Sequence, residues 1–223
     1  AMTKSITQAD TCLVLDFGGV ISRTLFETHK ETERALGLPK SSLTWRGPFD
    51  PDSDKLWRSM LSDKISERDY WLTRAKEVGK LIGKDWNTMQ DFVRAARGTE
   101  PQLVIRPEAL SAINQAHAAG YKLAILSNEL DLFYGKSFKY QLNFIKKVDT
   151  ICDATYTQIL KPDPRAYTNC CSELETLPQH CVFVDDQIRN INGAKAVGMQ
   201  TVHFDVQNPA VSFQLALDLL GCG

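Results

Sequence analysis

Four groups of side chains in this chain have the types and spacing to transfer a charged group between oxygens. The first is Asp16, which closes the apolar run Thr11-Cys12-Leu13-Val14-Leu15 and precedes Phe17-Gly18-Gly19-Val20. A short apolar run ending in a carboxylate puts that carboxylate at the C-terminal tip of a strand, where open parallel sheets bind ligands. Gly18 and Gly19 let the backbone turn sharply and come close to whatever sits there. Taken alone, Asp16 also fits an ordinary strand-to-loop turn.

The second group, Ser127-Asn128, ends the run Lys122-Leu123-Ala124-Ile125-Leu126 just before a helical pattern. Such residues cap a helix or hold an anion against its free N–H groups. Third, Lys161 lies in Leu160-Lys161-Pro162-Asp163-Pro164, where the prolines stiffen the backbone. A fixed positive charge and a solvated surface lysine are both compatible with that setting. Fourth, Cys181-Val182-Phe183-Val184 ends in Asp185-Asp186, with Asn190 four residues on. Adjacent carboxylates repel each other and favour a hard cation with oxygen ligands. In order, these groups supply a nucleophilic carboxylate, an anion cradle, a bridging cation and a metal site. Those are the parts of phosphoryl transfer through an acyl phosphate.

The elements that must position these groups follow from periodicity. Apolar β-rich runs recur at 11–16, 122–127, 181–185 and 201–204, with a weaker one near 151–154. Helical patterns fall between them at about 107–119, 129–146, 163–175, 187–198 and 209–220. The alternation predicts an α/β fold, a Rossmann-like parallel sheet core with helices on both faces. From Arg23 to about Gly98 only helical periodicity appears, and all four tryptophans (45, 57, 71 and 86) lie there. This predicts an inserted α-helical cap at 23–98, with the core formed by 1–22 and 99–223. The tryptophans read first as bundle core; Trp45, Arg46, Trp57 and Arg58 are the cap side chains to inspect for substrate contact.

Bulk properties narrow the function classes. Lys plus Arg (26) nearly balances Asp plus Glu (27), so no strong field points to nucleic acid or an anionic membrane. No apolar run approaches the roughly 20 residues that span a bilayer. Ala1-Met2-Thr3-Lys4 lacks the charged-then-apolar order of a signal peptide. The six cysteines form no Cys-x-x-Cys pair and the four histidines have no ligand spacing. The cysteines read as small apolar fillers in a reduced cytoplasm, and the scattered histidines argue against a zinc site.

Taken together, Leu15-Asp16-Phe17-Gly18-Gly19-Val20, Leu126-Ser127-Asn128, Lys161-Pro162-Asp163 with Tyr167, and Val184-Asp185-Asp186 with Asn190 and Gly193-Ala194 carry a resemblance. The chain resembles the haloacid dehalogenase-like superfamily with a helical cap in the first insertion site. It is most similar to the subgroup with an Asp-Asp fourth motif, which includes sugar-phosphate phosphatases and the phosphatase domain of soluble epoxide hydrolase. The resemblance implies that Asp16 attacks phosphorus, that Ser127 and Asn128 hold phosphoryl oxygens, and that Lys161 neutralises nucleophile and phosphate. It implies Mg2+ on Asp16, the Gly18 carbonyl and Asp186, supported by Asp185 and Asn190. Gly18, Gly19, Arg23 and Arg46 are the expected substrate-binding positions. The expected partner is a small organic or sugar phosphate, with no nucleic acid or membrane, bound by a monomer or homodimer.

The chain departs from that pattern at Gly18, where most phosphatases of the superfamily carry a second Asp as general acid and base, and at Val20, which lacks the usual hydroxyl. Two alternatives therefore stand beside the phosphatase. One is a metal-free 2-haloacid dehalogenase, which shares the Asp, the Ser-Asn and a Lys followed six residues later by Tyr. The other is a binding scaffold that has lost turnover.

Overall fold

A computed structural model describes residues 10–97 and 100–222. Its strands are β1 (Cys12–Leu15), β2 (Lys122–Ser127), β3 (Thr150–Asp153), β4 (Cys181–Asp185) and β5 (Gln200–His203). Its α-helices are α1 (His29–Leu36), α2 (Lys55–Leu61), α3 (Glu67–Leu81), α4 (Met89–Arg97), α5 (Pro107–Ala118), α6 (Leu130–Tyr134), α7 (Ala154–Thr157), α8 (Pro164–Glu173), α9 (Ile188–Ala196) and α10 (Pro209–Leu220). Two compact units result. One comprises the described residues up to Ser22, Ile105–Leu130 and those from Lys139 onward; the other is Arg23–Val104 with Asp131–Phe138. Ala1–Lys4 and the boundary residues Gly98 and Thr99 lie outside the described residues.

In the first unit every strand pair is parallel, in the order β3-β2-β1-β4-β5. Central β1 is buried along its whole length, as a parallel strand covered on both faces requires. Successive side chains of a strand alternate between faces. Cys12, Val14, Ala124, Leu126, Cys181 and Phe183 accordingly share one apolar layer with Tyr167, Cys170 and Cys171 of α8 and Ile191 and Ala194 of α9. Helices α5 and α10 cover the opposite face. The chain reverses direction across the sheet between β1 and β4, which makes that pair the switch point where such folds bind ligands.

Two expectations differ from the structure. The helix expected over 129–146 is only α6, followed by 3-10 turns at Lys139–Gln141 and Asn143–Lys147. Gly135 adopts φ +86° and its N–H closes the helix on Asp131 O at 2.8 Å. Within α6, Phe133 and Tyr134 pack on the core of the helical unit. The first unit also resumes at Ile105 rather than near residue 99, because Ile105 bridges back to Ser22 and is buried.

The helical unit is built around Phe26. Its ring meets Trp45 at 5.6 Å and Trp57 at 5.2 Å edge-on, and Trp71 at 5.1 Å. Beneath this cluster, the fully buried Asp54 accepts from Arg74 Nη2 (2.6 Å), Tyr70 Oη (2.6 Å), Trp57 N (2.9 Å) and Gly47 N (3.1 Å). Burial, then the bond to Asp54, pushes the Tyr70 phenol well above its ordinary range, so it stays a donor. Asp54 thus caps α2 and anchors α3 at once. Replacing Asp54 with Ala leaves the Arg74 guanidinium only Glu77 as an anionic partner and removes the α2 cap, so we expect a loss of about 3 kcal/mol, measured by urea unfolding followed through tryptophan fluorescence.

Candidate active site

Register brings the carboxylates together. Leu15 is level with Val184 on one side and Ile125 on the other. The next residues, Asp16, Asp185 and Leu126, therefore end up side by side at the C-terminal edge of the sheet. Asp16 N donates to Val184 O at 3.0 Å, extending the ladder by one bond.

Lys161 enters this edge from the loop before α8 and is 4% exposed. Its Nζ donates to Asp16 Oδ1 (3.0 Å), Asp185 Oδ2 (2.8 Å) and Leu126 O (2.8 Å), which uses the three donors of an ammonium. Burial alone would drive off its proton, but the Asp16 and Asp185 carboxylates reverse this and hold the pKa above the ordinary lysine range. Asp185 is fully buried; its Oδ1 accepts from Gln187 N (2.8 Å) and its Oδ2 also from Asn190 Nδ2 (3.1 Å). Asp16 is half-buried and its Oδ1 also accepts from Phe17 N at 2.9 Å.

The loop after Asp16 is wound into one wide turn, closed by Ser22 N donating to Phe17 O at 3.0 Å. Gly19 sits at φ +85°, a left-handed conformation that strains any other residue. Its carbonyl accepts from Arg106 Nε (3.2 Å) and Nη2 (2.9 Å). Arg106 is 2% exposed and lies over Phe204. Sequence reading missed Arg106; the available signal was an arginine between the buried Ile105 and the helix-starting Pro107. Gly18 is different: it is exposed, has φ −64°, and a Cβ added there meets nothing within 4 Å.

Asn128 clamps the Lys161 backbone, accepting from Lys161 N (2.8 Å) and donating to Lys161 O (3.2 Å). Ser127 is buried and its Oγ accepts from Glu129 N at 3.3 Å. Tyr167, the residue six beyond Lys161, is fully buried: its hydroxyl donates to Asn190 O at 2.7 Å and its ring meets Phe183 edge-on. Its spacing from Lys161 is thus explained by the packing of α8 on α9.

Of the remaining predicted positions, Arg23, Arg46, Trp45, Trp57 and Arg58 belong to the helical unit. Arg23 Nε donates to Leu103 O at 3.1 Å. Trp45 and Trp57 are core side chains, so the bundle-core reading is the one that describes them; Arg46 and Arg58 are exposed.

Carboxylate oxygens of Asp16, Asp185 and Asp186 lie within 4.8 Å of one another. The three carboxylates gather beside the Lys161 ammonium, which bonds Asp16 and Asp185. Asn190 Oδ1, buried without a hydrogen-bond partner, adds a further unsatisfied oxygen. A hard divalent cation fits that charge and that donor set.

The sequence profile of the haloacid dehalogenase-like hydrolases matches residues 11–198. The chain belongs to this family. Among curated members, it is 25% identical over 203 residues to Phosphatase MT3486 of Mycobacterium tuberculosis, covering 87% of each chain. It is 30% identical over 115 residues to (S)-2-haloacid dehalogenase 1 of Pseudomonas sp., covering 52% of this chain. The chain spans half the length of that dehalogenase and a tenth of a longer relative, mouse acyl-CoA dehydrogenase family member 10. The HAD-hydrolase YfnB of Bacillus subtilis, in a structure described as bound to magnesium, superposes with TM-score 0.61 at 16% identity, covering 86% of this chain and 85% of that one.

Gly193 of α9 makes the Lys161 loop possible in this family member. A Cβ there would lie 2.8 Å from both Pro162 Cβ and Tyr167 Oη. Gly193→Ala is expected to cost about 1–3 kcal/mol through overpacking, read as a lowered urea midpoint; an unchanged midpoint would show that the loop is free to move away.

Proposed function

We propose that this hydrolase cleaves small organic phosphate monoesters through an aspartyl-phosphate on Asp16. The observation that carries the reading is the buried Lys161 ammonium shared between Asp16 and Asp185, with Asp186 completing the carboxylate cluster. Lys161 holds the Asp16 carboxylate ionised and oriented, and its charge also compensates an incoming phosphate. Asp16 Oδ attacks phosphorus while the ester P–O bond breaks and the leaving oxygen departs with the bonding pair. Water then attacks phosphorus of the acyl phosphate, which releases inorganic phosphate and restores the Asp16 carboxylate. Ser127 and Asn128 border the same strand edge and supply polar groups for phosphoryl oxygens. Asp16, Asp186 and the Gly18 carbonyl would hold Mg2+, with Asp185 and Asn190 behind them. Bound there, the cation neutralises charge on the phosphoryl group.

The matches to dehalogenases favour a second reading, displacement of halide from a 2-haloacid by the same Asp16. The carboxylate cluster weighs against it, because three carboxylates gathered within 4.8 Å of one another suit a cation and a phosphate better than a metal-free displacement of halide. The deciding assay compares p-nitrophenyl phosphate hydrolysis, with Mg2+ and with EDTA, against chloride release from 2-chloropropionate. Metal-dependent phosphate release that is lost in Asp16→Asn supports the proposal; chloride release unaffected by EDTA overturns it.

With Gly18 in place of a carboxylic acid, the leaving oxygen receives no proton from position 18. Turnover is therefore expected to fall steeply as the leaving-group pKa rises, which suits acyl and anomeric phosphates. The open space at Gly18 makes the converse testable. Gly18→Asp is expected to fold normally and to raise turnover of alkyl phosphates by about 10²-fold, with little change for p-nitrophenyl phosphate. Equal effects on both leaving groups would disprove the assignment.

A further inference from the structure

The helical unit contains a cavity of its own, about 210 Å³, to which the chemistry above gives no role. Leu25, Val93, Ala96 and Val104 form its apolar walls, and Arg23 and Arg97 are its cations. We propose that this cavity binds a small organic monoanion with a compact apolar body, such as an aryl carboxylate.

Arg97 is the main reason. Its Nε is buried and has no hydrogen-bond partner, and its guanidinium lies 4.8 Å over the Phe138 ring. A cation in the last turn of α4 complements the helix dipole. That explains a charge at this position, but not the burial of a donor with nothing to accept from it. Buried donors of native proteins are nearly always satisfied, and a planar guanidinium is matched best by a carboxylate. Burial, and then the neighbouring Arg94, lower the Arg97 pKa, and an anion would relieve both. Arg23 adds a second positive charge. Its guanidinium is held by Leu103 O and stands 4.0 Å from Glu31, whose half-exposed side chain makes at most a weak, screened pair.

Size and lining define the rest of the ligand. Cavities of about 150 Å³ accept benzene, so this one accommodates a ring plus a carboxylate. Apolar walls with a few converging polar groups are the ordinary composition of small-molecule sites. Every residue named belongs to the helical unit, so the site does not depend on Asp16 or on the phosphatase reading.

The test is calorimetric titration of the full chain with phenylacetate and with its neutral analogue phenylacetamide. Saturable one-site binding of phenylacetate, with phenylacetamide at least about tenfold weaker, is expected. Arg97→Met, which keeps the aliphatic stem, should remove that preference, and Ala96→Leu, which fills the cavity, should remove binding of both. Far-ultraviolet circular dichroism checks that each variant is folded. Asp16→Asn should bind phenylacetate as the wild type does. No saturable binding, equal affinity for the two probes, undiminished binding in folded Ala96→Leu, or loss of binding in Asp16→Asn would each overturn the proposal.

Discussion

A lysine ammonium buried between two carboxylates is the interaction on which the arrangement of the first unit depends. An isolated charge in that position would cost several kcal/mol, so Lys161 is tolerated only if Asp16, Asp185 and Leu126 O all arrive within hydrogen-bonding distance. The fold meets this with two independent constraints. Strand register aligns the acceptors, because a parallel ladder fixed from Cys12 to Leu15 leaves Asp16 and Asp185 no alternative placement. The lysine is delivered separately by a loop whose backbone is clasped by Asn128 and seated against a helix with no side chain at Gly193. Arg106 then fixes the turn that follows Asp16 by gripping the Gly19 carbonyl.

The helical unit solves a similar problem in reverse. There the buried carboxylate of Asp54 is the hub, and Arg74, Tyr70 and two backbone N–H groups converge on it. Both units thus place a hydrogen-bonded polar network inside an apolar shell. In the helical unit the network joins two helices and leaves the aromatic cluster around Phe26 to supply the bulk of the burial.

Much of this was legible in the sequence, and the physical reason is that parallel strands buried on both faces leave a strong apolar signature. Each such run ended at a polar group, so Asp16, Ser127 and Asp185-Asp186 were identified together with their strands. Less legible was whatever depended on a distant partner. Nothing local shows that Asn128 clasps the Lys161 backbone, and nothing local shows that Arg106 reaches back to Gly19. The helix expected over 129–146 failed because its apolar residues serve two different cores, and Gly135 ends it early. Trp45 and Trp57 were ambiguous because aromatic side chains in a small helical unit are needed for burial first.

The open side of Gly18 bears on how this chain relates to its relatives. Some glycine codons become aspartate by a single base change, and the Gly18 backbone already has a conformation that aspartate can occupy without strain or clash. The clustered charges and the residue type at position 18 are therefore separable in heredity as well as in space. On the proposed phosphatase reading, a lineage carrying this scaffold would reach a different range of leaving groups through a substitution that the position 18 backbone already accommodates.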